Sequence, residues 1–260
     1  MIFYRTLKYL KYILLSHHAR GHGIHSPFVF NLISKIFRNK IDQSLVRKVE
    51  QIRRKTKSEK RLILVKDPKS KSVKSEIRKV SDIVRRSQVS PKYGRLLSNM
   101  AANFGNPLII ELGTSLGIST LYMALSCNDA EIITIEGCKE IAALARQNFI
   151  EAGLNNITVL EGSFDEMLFK LSVPDVKPCL IFINGTHRKE TVLKYFNKLS
   201  EISDSKTVFI IDDIYYSKEM ADAWEELKSN KTVSVSVDIF RMGILFLREG
   251  ISHNSYVIRY

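Results

Sequence analysis

From Pro107 onward the chain alternates short apolar runs with segments of helical spacing. The runs are Leu108–Leu112, Ile132–Ile135, Ile157–Leu160, Leu180–Ile183 and Val208–Ile211. Each is rich in β-branched residues and lacks strict polar alternation, the pattern of parallel strands buried on both faces. Between them lie Ser119–Cys127, Lys139–Ala152, Phe164–Leu171, Lys189–Leu199 and Lys218–Lys228, all of helical character. This succession predicts an α/β, doubly wound, mostly parallel sheet. The end of the chain departs from the rhythm. Thr232–Phe240 and Gly243–Leu247 are separated only by Arg241 and Met242, too few residues for a helical crossover. Two strands joined so tightly must pair antiparallel, so the expected sheet has seven strands with an antiparallel last one.

The first 100 residues read differently. Ile2–Leu15 and Phe28–Phe37 have helical patterns, with Pro27 suited to a helix N-terminus. Ser90–Phe104 opens on Ser-Pro and continues with Tyr93, Leu96, Leu97 and Met100 at helical spacing. Arg47–Arg61 and Lys66–Lys79 are rich in Lys, Arg and Ser and read as a mobile connection. The expected organisation is therefore a basic, helical extension with a linker or lid over residues 1–89, and a main domain over residues 90–260.

Composition narrows the class. Of 260 residues 45% are hydrophobic, enough to bury a core and too many for a disordered chain. No apolar run approaches the roughly 20 residues that span a bilayer. The opening residues mix Arg and Lys with Tyr and Leu, unlike a secretory signal. Cys127, Cys138 and Cys179 show neither a disulfide framework nor metal spacing. A cytoplasmic protein is expected.

The net charge of +13 first suggests nucleic acid, but it is unevenly placed. Residues 1–100 hold 25 Lys+Arg and 6 Asp+Glu, whereas residues 101–260 hold 15 and 21. The basic run Arg47–Lys79 lacks the aromatic interleaving of a base-stacking surface, so nucleic acid is disfavoured. Ile2–Leu15 could lie on a membrane surface as a peripheral contact, or pack on the body or on a second subunit of a homodimer. Four of the six histidines fall within His17–His25, beside Gly21 and Gly23. The glycines oppose zinc-ligand alignment on a helix, leaving a substrate-facing lid or an exposed loop.

The most informative stretch runs from Ile109 to Ser119, where Glu111 and Leu112 lead into Gly113, Thr114, Ser115 and Leu116, then Gly117. A strand enters a turn with glycines four apart and a helix begins. Glycines there permit positive φ and close approach of a ligand to the backbone, and the helix start offers free N–H groups. Dinucleotide binding favours GxGxxG and a P-loop needs Gly-Lys-Ser/Thr; neither is present. Glu136, at the end of the second strand, is placed to accept the two hydroxyls of a ribose. Gly137 follows it, and Ser163 with Phe164 follows the third strand, where an adenine could lie on the Phe164 ring.

This segment resembles motif I of the class I S-adenosylmethionine-dependent methyltransferases. The form Glu-x-Gly-x-x-x-Gly-x-Ser is most similar to the O-methyltransferase branch that contains catechol and caffeoyl-CoA O-methyltransferases. The similarity covers about residues 90–248, and the antiparallel final strand matches that Rossmann-like methyltransferase fold. The resemblance implies that Glu111, Gly113, Thr114, Ser115, Gly117, Ser119, Glu136, Gly137, Ser163 and Phe164 surround S-adenosyl-L-methionine. It also implies that the segment holding Tyr93 borders the cofactor's methionine end.

The fourth strand ends in Asn184, with His187 three residues on, and the fifth ends in Asp212 and Asp213. Ligands are expected at such strand ends. The cation-dependent members of the branch place an Asp, then Asp-Asn, at these ends to bind Mg²⁺. Here Asn184, Asp212 and Asp213 keep two carboxylates and one amide, all hard oxygen donors, with their places exchanged. By the same resemblance His187 stands where the family has its general-base lysine. An imidazole can take a proton from a hydroxyl near neutral pH, or His187 could cap the following helix. Asp212 is the second candidate catalytic residue. The expected function is methyl transfer from S-adenosylmethionine to a hydroxyl of a small or conjugated metabolite. Two alternatives stay open: an NAD(P)-linked oxidoreductase, and a degenerate methyltransferase fold serving as an RNA- or membrane-binding scaffold.

Overall fold

The computed structural model describes residues 2–16, 23–66, 75–87, 89–171 and 176–260. The chain gathers into two compact units, one of residues Lys40–Val176 and one of Met1–Asn39 with Lys177–Tyr260.

The chain opens with α1 (Ile2–Leu15) and α2 (Pro27–Asn31), which runs on as a π-helical stretch over Leu32–Ile36. Ser26 caps α2 through Val29 N–H, and Pro27 takes the first helical position, where its missing N–H costs nothing. Tyr12 ties α1 down: its hydroxyl donates to the Ile258 carbonyl at 2.6 Å and accepts from Tyr260 N–H at 2.9 Å.

In the unit of residues 40–176, α3 (Gln43–Ser58) leads to the antiparallel pair β1 (Leu62–Lys66) and β2 (Ser75–Lys79) and to α4 (Val80–Ser87). The connection expected over Arg47–Arg61 is therefore mostly helix. Val46, Val49, Ile52, Arg53 and Thr56 recur at helical spacing and are buried, while Arg47, Lys48, Arg54, Lys55 and Lys57 face outward. The charge count had masked this apolar stripe. Likewise Ile63 and Val65 of β1 pack against Val80, Ile83, Val84, Leu116, Cys138, Ile141 and Leu144. The basic stretch thus carries an apolar lining that covers the back of the glycine turn.

After α5 (Pro91–Phe104) come β3 (Leu108–Leu112), α6 (Ile118–Ala124), β4 (Glu131–Glu136), α7 (Lys139–Glu151), β5 (Ile157–Glu161) and α8 (Phe164–Lys170). The three strands pair in parallel in the order β3-β4-β5, with Leu112 opposite Ile135 and Glu136 opposite Glu161. All five residues of β3 are buried, as its unbroken apolar run requires.

In the other unit, β6 (Leu180–Ile183), α9 (Lys189–Glu201), β7 (Val208–Asp212) and α10 (Lys218–Lys228) are followed by β8 (Val235–Asp238), β9 (Met242–Phe246) and β10 (Asn254–Val257). The strand order is β10-β8-β9-β7-β6. β6 and β7 run parallel, while β9 is antiparallel to both β7 and β8. The connection between β8 and β9 is residues 239–241 rather than the expected Arg241–Met242, and is as short as the antiparallel pairing demands. One strand exceeds the seven expected: β10 pairs in parallel with β8. Its four residues, Asn-Ser-Tyr-Val, are too short and polar to stand out as an apolar run. The fold is α/β with mostly parallel strands, and among the described residues no helix is long and apolar enough to cross a membrane.

Candidate active site

Strand ends carry the candidate chemistry in both units. In residues 40–176 the turn after β3 is built on positive φ at Gly113 (100°), Ser115 (48°) and Gly117 (78°). Gly113 N–H and Thr114 N–H both donate to the Ile135 carbonyl, at 3.0 and 3.1 Å, which folds the turn against the tip of β4. Glu136 at that tip closes the arrangement. Its two carboxylate oxygens accept from Ser115 N–H at 2.8 Å and from Cys138 N–H at 2.9 Å. The acid and the glycine turn, paired in the sequence only by spacing, are thus hydrogen-bonded.

Glu111 lies behind the turn, fully buried. Its carboxyl accepts from Ser119 Oγ and Thr120 Oγ1, each at 2.5 Å, and from Thr134 Oγ1 at 2.7 Å. Thr114 Oγ1 and Thr134 Oγ1 are 2.6 Å apart, so the hydroxyl cluster also reaches the turn. Burial pushes the Glu111 carboxyl up to about 7, against the pull of the three hydroxyls. Ser119 and Glu111 were both expected around the cofactor, without the hydrogen bond between them; Thr120 and Thr134 were not singled out. The signal available was that both are polar residues inside otherwise apolar elements, where a partner is required.

Asn148 Nδ2 donates to the Leu116 carbonyl at 2.9 Å and anchors the turn from α7. Gly137 follows Glu136 in a bend. Ser163 caps α8 through Glu166 N–H at 3.2 Å, and Phe164, partly buried, opens that helix. Tyr93 is partly buried on α5, with Lys92 Nζ 5.6 Å from its ring centroid.

In the other unit Asn184 follows β6, and Gly185 (φ 126°) turns the chain toward His187. The His187 ring stacks on Tyr216, with centroids 4.3 Å apart and planes 20° from parallel. Arg188 holds the N-cap position of α9, and Glu219 accepts from Lys189 N–H at 2.8 Å. Asp212, the last residue of β7, is buried, and both of its oxygens meet the Arg241 guanidinium. Burial pushes the Asp212 carboxyl up and Arg241 pulls it back. Asp213 is partly exposed in the left-handed region (φ 52°), 3.9 Å from Arg5 Nη2. Arg241, Arg5 and Tyr216 are neighbours that sequence reasoning missed.

Of the histidine-rich segment, His17, His18 and His22 lie outside the described residues, as does the lid expected there; His25 is exposed. The basic run is described except for residues 67–74.

Residues 110–214 match the family described as a methyltransferase domain. A catechol O-methyltransferase of Niastella koreensis is 29% identical over 137 residues, covering 52% of this chain and 61% of that protein. The chain thus spans about three-fifths of that relative's length. Among solved structures, the O-methyltransferase TomG of Streptomyces achromogenes, in complex with SAM, superposes with a TM-score of 0.58 at 18% identity. That match covers 80% of this chain and 91% of TomG. The O-methyltransferase of Bacillus cereus, in complex with SAH, gives 0.56 at 20% identity, covering 80% and 93%. The fold is the Rossmann-like fold of the class I methyltransferases. The relative and the two solved structures are O-methyltransferases.

Proposed function

We propose that the protein transfers a methyl group from S-adenosylmethionine to a hydroxyl of a small or conjugated acceptor. The observation that carries this is the Glu136 carboxylate, held at the tip of β4 by the amide of Ser115 in the glycine turn. In a class I methyltransferase fold such an acid takes the ribose hydroxyls. Gly113, Thr114, Ser115 and Gly117, with Glu111 and Ser119 behind them, would form the cofactor's cradle. Gly137, Ser163 and Phe164 would flank its adenosine end, and Tyr93 would border its methionine end.

The cofactor's contribution is an electrophilic methyl on a sulfonium. The acceptor oxygen gains that methyl and gives up its proton, which His187 takes and passes to solvent. Stacking on Tyr216 fixes the imidazole plane for that transfer. Asp212 orders the β7 end through Arg241. The names of the relatives and of the solved structures support hydroxyl oxygen as the acceptor atom.

Calorimetric titration with S-adenosylmethionine and its demethylated product tests the reading. Stoichiometric binding is expected, weakened tenfold or more by Glu136→Ala and by Gly113→Val; wild-type protein that binds neither compound overturns it. A hydroxyl-acceptor screen then reads methyl transfer. Cofactor binding without any transfer, together with salt-sensitive RNA binding, would point to a scaffold instead.

We further propose that α1 rests on an anionic membrane surface, in a protein of the cytoplasm. Its Tyr12 side is tied to the body, while Leu7, Leu10, Leu14 and Leu15 are 51–84% exposed. The first 41 residues hold seven Lys+Arg and no Asp or Glu. Two copies meeting on this face would bring like charges together, whereas anionic lipid would attract them. Co-sedimentation with phosphatidylcholine vesicles containing phosphatidylglycerol, lost in Leu10→Ser/Leu14→Ser, is expected. A wild-type dimer that the same substitutions dissociate would overturn it.

A further inference from the structure

The oxygen donors Asn184, Asp212 and Asp213 invite a divalent cation, and the arrangement around Asp212 does not fit one. Arg241 Nε donates to Asp212 Oδ1 and Arg241 Nη2 to Oδ2, both at 3.1 Å. This is a bidentate guanidinium–carboxylate pair, the strongest planar match available to a side-chain carboxylate. Arg241 Nε also lies 3.9 Å from Asp213 Oδ1, and Arg5 Nη2 lies at the same distance from that oxygen. Two carboxylates are already matched by two guanidinium groups. A divalent ion would have to displace the bidentate guanidinium from the buried Asp212 carboxylate and then stand beside the positive charge it displaced.

The local backbone is built to deliver Arg241. Phe240, the residue before it, sits at φ 68°, a left-handed conformation unfavourable for a bulky side chain. Such strain persists only where the surroundings over-determine it. Here Phe240 N–H donates to Asp238 Oδ1 at 2.8 Å, and the ring packs against Tyr9, Tyr12 and Tyr215 with centroids 4.9, 5.3 and 5.5 Å away. Asp238 is itself held by the Tyr215 hydroxyl. The Arg241 carbonyl accepts from Ile214 N–H at 3.2 Å, lashing the β8–β9 connection to the end of β7. Residues from α1, from the segment that follows β7 and from the β8–β9 turn thus converge to place one guanidinium on Asp212.

We propose that Arg241 is a built-in cation at the β7 end, a positioning residue that takes the place of a divalent ion and makes this centre metal-independent. Its side chain comes from the last residue of the β8–β9 connection, immediately before β9. The relevance to methyl transfer rests on the function proposed above; the charge arrangement itself does not.

The test uses the full chain and needs no turnover, so its failure and that of the methyltransferase reading are distinguishable. Mn²⁺ titration followed by electron paramagnetic resonance is expected to show no stoichiometric binding tighter than about 1 mM to wild-type protein. Thermal unfolding of Arg241→Met, Asp212→Asn and the double variant forms a second arm. Arg241→Met should lower Tm by roughly 6 °C or more, because it strands a buried carboxylate. Adding Asp212→Asn should recover at least half of that loss. One Mn²⁺ per chain, removed by Asp212→Asn, overturns the proposal, as do Tm losses that simply add in the double variant.

Discussion

The ring of Phe149 stands 2.4 Å from the point where a β-carbon on Gly117 would lie. Gly117 is also at φ 78°, so two independent constraints, one conformational and one steric, select glycine at the helix start. Gly117→Ala is expected to cost about 2–4 kcal/mol from positive-φ strain and overpacking together. That corresponds to a Tm loss of roughly 6–12 °C in a chain of this size. Phe149→Leu in the Gly117→Ala background should restore part of it, which differential scanning calorimetry would show. An unchanged Tm in Gly117→Ala would contradict the packing described.

Glu111 makes stability depend on pH in a defined direction. Its carboxyl is raised from 4.5 to about 7 in the folded chain, so the folded state holds a proton that the unfolded chain releases. The stability it contributes is full below pH 4.5 and is lost as pH rises through about 7, a change on the order of 3 kcal/mol. Thermal unfolding measured from pH 5 to 8 should therefore fall more steeply for wild type than for Glu111→Gln. Parallel curves would remove Glu111 as the source.

Glu50 joins α3 to α6 in the unit of residues 40–176. Its Oε1 accepts from the Tyr122 hydroxyl at 2.8 Å and from Arg53 Nε at 2.9 Å, and Arg53 Nη1 reaches the Val89 carbonyl at 2.7 Å. Arg53 is 4% exposed, so Glu50→Ala leaves a buried guanidinium short of its counter-charge. The expected loss is about 3–5 kcal/mol, read as a shift in the urea midpoint without a change in slope. Glu50→Gln, which keeps both acceptor contacts, should lose less. Equal losses in the two variants would show that the charge rather than the acceptor geometry matters there.

His187 is predicted to act on the proton and not on cofactor affinity. Once an acceptor is in hand, His187→Ala should lower kcat by about 10²–10⁴-fold while leaving calorimetric cofactor binding within a factor of two or so. Tyr216→Ala, which removes the stacking partner, should lower kcat less and leave the pH profile in place. A His187→Ala enzyme of full activity would assign proton removal elsewhere.

Local pattern was enough for the elements themselves. Five apolar runs between helical segments became β3 to β7 within a residue or two. The shortness of the connection before β9, read as Arg241–Met242 and found as residues 239–241, was enough to make β9 antiparallel. The same holds for the glycine turn and Glu136, because a strand–turn–helix signature and the next strand's end are each local in the chain. Local information fails where a side chain's partner is distant. Thr134 reads as an ordinary strand residue until folding brings it onto Glu111, 23 positions away. Val46, Val49 and Ile52 were hidden by the cations interleaved with them, since composition averages over a face that only packing distinguishes.

The amino-acid sequence by itself determined the alternation of strand and helix and the glycine turn with its acid. Both follow from backbone conformation and burial along a short stretch. Only the tertiary structure decided what the carboxylates meet. Glu111 meets three hydroxyls and Asp212 meets a guanidinium 29 positions away, because a buried charge takes whichever partner the fold brings within reach.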